Sequence, residues 1–346
     1  MIAYITRRSL LAVLTLFVIS FLSYIVIQLP EGDIVDQYIK SRTQDVSAIY
    51  EEDLVELREK WGLNKPVIVQ WWNWIVPIVT RGDLGKSYVM YGIVSGRGTV
   101  SVPVNSYIED KLPFTIYLSL FTIIITWTLA IPIGIYSAVR QHSMGDYVFT
   151  FLGFTGLAIP DFLLGLVLMY VFFAYFNFSV GGLFSGNYVD APWSVGRVVD
   201  LLQHLIVPGL VLGTSGTAGL IRIMRNNLLD ELTKPYVVTA RAKGLVDWRV
   251  VVKYPVRVAI NPFISGLGAM LPTLVSGSVI VSIVLSLPTL GPVLLDATMA
   301  QDGPLTGAIV LLLAGLTVIG TLVSDLMLVV VDPRIKLTGS GTGSRA

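Results

Sequence analysis

The stretch Tyr236–Pro262, YVVTARAKGLVDWRVVVKYPVRVAINP, decides how the rest of the chain is read. It lies between two apolar runs of membrane length. It nevertheless carries Arg241, Lys243, Asp247, Arg249, Lys253 and Arg257, so it does not itself cross a bilayer. Tyr236 to Lys243 reads as a short helix after Pro235, rich in the small residues Thr239, Ala240 and Ala242. Gly244 stands where a helix takes its terminating glycine; Leu245 follows, and Asp247 suits the N-cap of a second short helix. Small side chains let another backbone approach closely, which makes the segment a candidate docking surface for a cytoplasmic partner, with Ala240 on the approaching face. The plainer reading is a basic loop that only sets topology. The residues alone leave both readings open.

Outward from this segment the chain is a polytopic membrane sequence. Of its 346 residues, 54% are hydrophobic and only 14% are charged. Six apolar spans are expected: Ser9 to Leu29, Pro113 to Val139, Tyr147 to Phe176, Leu201 to Ile221, Pro262 to Leu287 and Leu305 to Val331. The first follows Arg7 and Arg8 as a secretory signal does, but it is longer than a signal core. It also ends in QLPEGD rather than at a small-residue cleavage site, so it reads as an uncleaved helix. Pro132, Pro160, Pro208 and Pro272 lie inside spans, where neighbouring helices re-satisfy freed backbone groups. The short loops on one side hold Arg7, Arg8, Arg140, the basic residues between Arg222 and Arg257, Arg334, Lys336 and Arg345. Those on the other hold only Arg197, so both termini are expected in the cytoplasm.

Residues 31–112 form an outer insert between the first two spans. Tyr50, Leu54, Leu57 and Trp61 recur there at helical spacing, and Gly62 with Pro66 ends that pattern. Trp71, Trp72 and Trp74 fit either an amphipathic piece at the membrane interface or a buried cluster of the insert. Val89 to Val104 reads as a short hairpin or loop. GDLGKS, Gly82 to Ser87, ends like a phosphate-binding loop, but Thr80 occupies the position where the leading glycine is required. No nucleotide site is therefore expected in this chain, and the energy source is expected on another polypeptide.

Cysteine is absent, which excludes disulfides and thiolate metal sites, and two histidines 62 positions apart, His142 and His204, do not make a zinc site. A net charge of +1 without a basic-aromatic patch gives no sign of nucleic-acid binding. No metal, cofactor or catalytic residue is expected. Intramembrane acids are candidates by default: Asp161, which either lines a path or caps a helix restarted after Pro160, and Asp325, expected to pair with a basic residue near the interface. Ser278, Ser282 and Ser286 stack at i, i+4, i+8 and fit either a helix-packing face or a polar wall of a passage.

TARAKGL with its basic second helix resembles the EAA loop of ABC-importer permeases, in the dipeptide/oligopeptide branch of binding-protein-dependent transporters. RGDLGKSY (Arg81 to Tyr88), GLNKPVIVQWWNW (Gly62 to Trp74), SLPTLGPVLLDA (Ser286 to Ala297) and VVDPRIK (Val330 to Lys336) extend the resemblance over most of the chain. The three letters of that loop are degenerate here, Val238, Thr239 and Ala240, which leaves no carboxylate at the first position. The resemblance implies an all-α, six-helix type I importer fold. Residues 1–30 would hold the N-terminus and first helix, residues 113–336 the permease core with a coupling loop at 222–261, and residues 337–346 a tail. It also implies a second permease, two cytoplasmic ATPases, an extracytoplasmic binding protein and surrounding lipid as partners. In that reading Thr239, Ala240, Arg241, Ala242, Lys243, Gly244, Leu245 and Asp247 transmit ATPase movement. Peptides are the implied cargo, with oligosaccharides or nickel chelates as alternatives. A stand-alone secondary carrier is the competing class. It calls for buried ion ligands or an inverted repeat, and neither is seen in the sequence.

Overall fold

The computed structural model describes residues 2–28, 55, 58–59, 62–87, 102–177 and 180–331. The helical pattern on Tyr50, Leu54, Leu57 and Trp61, most of Val89 to Val104, and everything after Val331, including Arg334, Lys336 and Arg345, lie largely outside the described residues. The described chain is helical. Its elements are α1 (Ile2–Ile27), α2 (Val67–Arg81), α3 (Val104–Val139), α4 (Met144–Ala158), α5 (Asp161–Phe176), α6 (Val195–Leu232), α7 (Pro235–Ala242), α8 (Asp247–Lys253), α9 (Pro255–Ala259), α10 (Asn261–Gly277), α11 (Val279–Val284), α12 (Leu290–Met299) and α13 (Gly303–Val331). Two short strands, β1 (Lys86–Ser87) and β2 (Val102–Pro103), pair antiparallel.

Four helices, α1, α3, α6 and α13, are long and apolar enough to cross a membrane, and two bent pairs bring the number to six if each pair is one span. The expected helix boundaries need four corrections. The second span begins at Val104 rather than Pro113, because Val104 is buried and its N–H bonds the Gly85 carbonyl at 2.9 Å, which fixes the first turn. The third is not one helix. Pro160 has no N–H and drives Ile159 to extended backbone (φ −86, ψ 125), so α4 and α5 meet at 104°. The fourth runs from Val195 to Leu232, well past Ile221. The fifth divides at Ser278 into α10 and α11, and α11 closes in a Schellman-type turn. There Leu287 N–H bonds the Ser282 carbonyl at 2.7 Å, with Ser286 left-handed at φ 53.

The described residues fall into two compact units, one built mainly on residues 116–288 and 316–331, the other on described residues of 10–115 and 289–315. In the first, Ala130, Ala138, Met224, Leu228, Val251, Ala259 and Phe263 make a core uniting α3, α6, α8, α9 and α10. α10 and α13 approach at Gly268 and Gly320: a Cβ at Gly268 would stand 2.5 Å from the Thr321 backbone nitrogen, so only glycine permits this contact. Ser324 donates to the Ile264 carbonyl across the same pair, and Arg8 pairs with Asp325 at 3.3 Å, as the sequence suggested for that acid.

In the second unit α2 packs by Trp71, Trp74 and Ile75 against Phe21, Tyr24 and Leu311. Trp71 donates its indole N–H to Ser20 (3.2 Å) and meets Phe17 and Phe21 edge-on, while Trp72 is 55% exposed. The tryptophan cluster is therefore a core with one outward member. The GDLGKS turn is structural. Leu84 N–H bonds Asn105 Oδ1 and Gly85 N–H bonds Asp83 Oδ1, both at 2.9 Å, so these two amides hold the turn together. Ser87 Oγ donates to the fully buried Asp302 (2.7 Å), whose other oxygen accepts from Leu305 N–H at 3.1 Å and caps α13. Asp302 was not singled out from sequence; a D-x-P start before an apolar run is the signal that marks it.

Candidate functional site

The cationic segment folds into a compact two-helix turn. Pro235 opens α7, where its missing N–H costs nothing. Val237, Ala240 and Val250 are buried together with Tyr254 packed on them, which clamps α7 to α8. Lys243 N–H bonds the Thr239 carbonyl (3.1 Å) and Gly244 N–H bonds the Arg241 carbonyl (2.9 Å), ending α7 with Gly244 at φ +75. The glycine is required by that conformation and not by crowding, since nothing lies within 4 Å of where its Cβ would be.

Two sequence readings of this turn need correction. Asp247 is not an N-cap: Val246 holds that position with no side-chain bond, and Asp247 sits in the first helical turn, where its carboxylate suits the helix dipole. It also receives Arg241 Nε–H at 3.0 Å, bridging the ends of the two helices. Ala240 is 8% exposed and faces α8, so it belongs to the clamp rather than to an approaching partner's surface. Thr239, Arg241, Ala242, Lys243, Gly244, Leu245 and Asp247 are exposed, and Thr239 Oγ bonds the Pro235 carbonyl (2.9 Å).

What the sequence reading missed is the apolar half of the exposed edge. Val238 is 57%, Val246 55% and Trp248 62% exposed, with Leu245 beside them and Arg249 over the Trp248 ring at 5.5 Å. Apolar side chains are thus exposed together on this turn with cations beside them, a composition that protein interfaces share. The helical periodicity of Tyr236 to Lys243 held the signal for Val238, but Leu245 to Trp248 lies in the turn, where periodicity says nothing. Behind this edge, Val251, Pro255 and Ala259 are buried, and Val251 and Ala259 join the core shared with α3 and α6. Arg257 Nε–H bonds the Val331 carbonyl at the end of α13 (2.9 Å). The turn is thus packed against the core shared with α3 and α6 and hydrogen-bonded to the end of α13.

The candidate path residues lie on α5, on α11 with its N-cap, and in the turn after α11. Asp161 is half-buried in the first turn of α5. Pro160 holds the N-cap with no side-chain bond, so Asp161 does not cap. Ser278 and Ser282 are both buried, and Ser278 Oγ bonds the Val275 carbonyl (3.0 Å), the behaviour of a packing face. Ser286 lies beyond α11 in its left-handed turn and is exposed, so the three-serine stripe does not exist. α11 meets α5 and α6 through Leu285, which sits 3.9 Å from a Cβ built on Gly165, as does Val211. Among the described residues no group of three or more His, Asp or Glu side chains is arranged to hold a metal.

Four helices long and apolar enough to cross a membrane, up to six spans with the bent pairs, are what a membrane component of a transport system requires. The chain belongs to the family described as binding-protein-dependent transport system inner membrane component, which matches residues 130–337, and the N-terminal part of such membrane components matches residues 1–119. It is thus the permease subunit of an ABC importer. It is 36% identical over 337 residues to the oligopeptide transport system permease protein AppB of Bacillus subtilis (97% of this chain, 100% of that one). It is 30% identical over 352 residues to the dipeptide transport system permease protein DppB of Escherichia coli (97% and 99%). It is also 27% identical over 333 residues to the nickel import system permease protein NikB of Staphylococcus aureus (96% and 92%).

Proposed function

We propose that this permease imports di- or oligopeptides in a prokaryotic plasma membrane. It does so together with a second homologous permease, two cytoplasmic ATPases that carry all the ATP hydrolysis, and an extracytoplasmic solute-binding protein. The observation that carries the proposal is the exposed apolar edge of the α7–α8 turn, Val238, Leu245, Val246 and Trp248, backed by a core continuous with α3 and α6. Both termini and this turn face the cytoplasm, in keeping with the lysine and arginine residues of the short loops. Residues 31–112 face outward and meet the binding protein. ATP-driven closure of the ATPases moves the turn, and the bundle exchanges inward- and outward-open packings. Peptide cargo is favoured by the two peptide permeases similar over nearly the whole chain.

Nickel-chelate import by the same machinery is the second reading, supported by the similarity to the nickel permease. The test is ATP-dependent uptake by proteoliposomes holding all subunits, with labelled tripeptide and nickel–histidine presented in turn by the partner binding protein. Peptide uptake that stops without ATP is the expected result. Nickel uptake alone selects the second reading, and uptake driven by a proton gradient without ATP overturns both.

A further inference from the structure

We propose that the cavity between α4 and α6 is a binding site for the phosphate head of an anionic phospholipid. The cavity is about 400 Å³ and is lined from both helices. The two helices run antiparallel and meet through small residues. A Cβ on Gly153 would lie 3.5 Å from Ala218 Cβ, and one on Gly156 would lie 2.6 Å from Thr214 Cγ2. The lining is polar at one end, with His142, Asp146, Arg222, Arg225 and Asn226, and apolar toward Phe154 and Leu157.

The charges at the polar end are not balanced. Asp146 is 3% exposed and fully engaged: it accepts from Arg225 Nε–H (3.3 Å) and Nη2–H (3.2 Å) and from the His142 backbone N–H (3.0 Å). That carboxylate neutralises Arg225 and fixes its fork. Arg222 makes no ion pair among the described residues. Its guanidinium instead lies over the Phe154 ring at 5.1 Å. Stacking uses the flat face of the group and leaves its in-plane N–H donors for an anion, the geometry in which arginine binds phosphate.

The apolar end decides which anion. Tyr147, Phe151, Phe154 and Leu157 are exposed along α4 and continue from the cavity over the outside of the helix, where acyl chains lie in a bilayer. A free phosphate uses only the polar end, and a peptide would leave backbone amides without partners at the apolar end. An anionic phospholipid uses both, as basic pockets between membrane helices do at the cytoplasmic leaflet. This goes beyond peptide import and stands or falls separately from it. Only the choice of leaflet rests on the orientation proposed above.

The test is native mass spectrometry of the assembled, delipidated transporter titrated with phosphatidylglycerol, phosphatidylcholine or inorganic phosphate. Phosphatidylglycerol is expected to bind about tenfold tighter than phosphatidylcholine, and Arg222→Gln to lose about that factor through one charge-assisted contact. Leu157→Trp, which fills the apolar end and leaves every charge, is expected to weaken phosphatidylglycerol as well and to leave inorganic phosphate unaffected. Equal binding of the two lipids, or wild-type phosphatidylglycerol binding by both variants, overturns the proposal. Displacement of phosphatidylglycerol by inorganic phosphate at equal concentration overturns the lipid and assigns a soluble anion.

Discussion

Replacing Gly244 separates conformational strain from contact, because its φ is +75 and nothing lies within 4 Å of a Cβ there. A side chain at this position therefore meets no wall, and its whole cost is that of holding a left-handed backbone. For a residue with a β-carbon that is about 1–2 kcal/mol, roughly a five- to thirtyfold loss in population of the native turn. Asparagine tolerates the conformation better than alanine, and a β-branched residue tolerates it worse. The expected order of coupling is therefore Gly, Asn, Ala, Val. The strain is small against a domain's total stability of about 5–15 kcal/mol, so all four proteins should insert and assemble. The assay is ATPase stimulation by loaded binding protein in nanodiscs, with subunit pull-down as the control for assembly. Wild-type stimulation by Gly244→Val, or an Asn variant as impaired as Val, would refute the claim that the left-handed end of α7 sets the docking geometry.

Three further outcomes follow from the packing. Trp248→Ser removes an aromatic that is 62% exposed and contributes nothing to the core, so thermal stability should hold while ATPase affinity, read from a binding isotherm, falls about thirtyfold, the effect of an interface anchor near 2 kcal/mol. Ala240→Asp should do the reverse of a surface change. It buries a charge between α7 and α8 and destabilises the turn, seen as faster limited proteolysis between Lys234 and Lys253. Gly268→Leu should lower the unfolding temperature markedly, since its Cβ would stand 2.5 Å from the Thr321 backbone, whereas Gly266→Leu, with open space around it, should leave that temperature within a degree or two.

Apolar runs marked where the long apolar helices lie, because membrane helices must satisfy their backbones internally and leave a strong compositional trace. The breaks were less legible. Pro160 was visible, but the 104° angle depends on Ile159 adopting extended backbone, a choice made with tertiary neighbours. Ser278, Ser282 and Ser286 have helical spacing, yet the spacing means nothing once Ser286 turns left-handed. At the α7–α8 turn the glycine and the cations were legible. The inward rotation of Ala240 and the outward Trp248 were not, since both are decided by how two short helices clamp on Val237 and Val250. Asp302 was silent for a similar reason: its partner Ser87 lies 215 positions away.

The chain contains no cysteine, so single cysteines can be read without background. ATPase docking is tested most sharply by cross-linking from a cysteine at Val246, 55% exposed on the edge proposed to dock, to the ATPase subunit in whole vesicles. The exposed Asn187 serves as the outward control. A cross-link at position 246 that changes with nucleotide is expected, and labelling by an impermeant maleimide from outside is expected only at position 187. Outside labelling at 246, or no cross-link there under any nucleotide, would contradict docking at this edge.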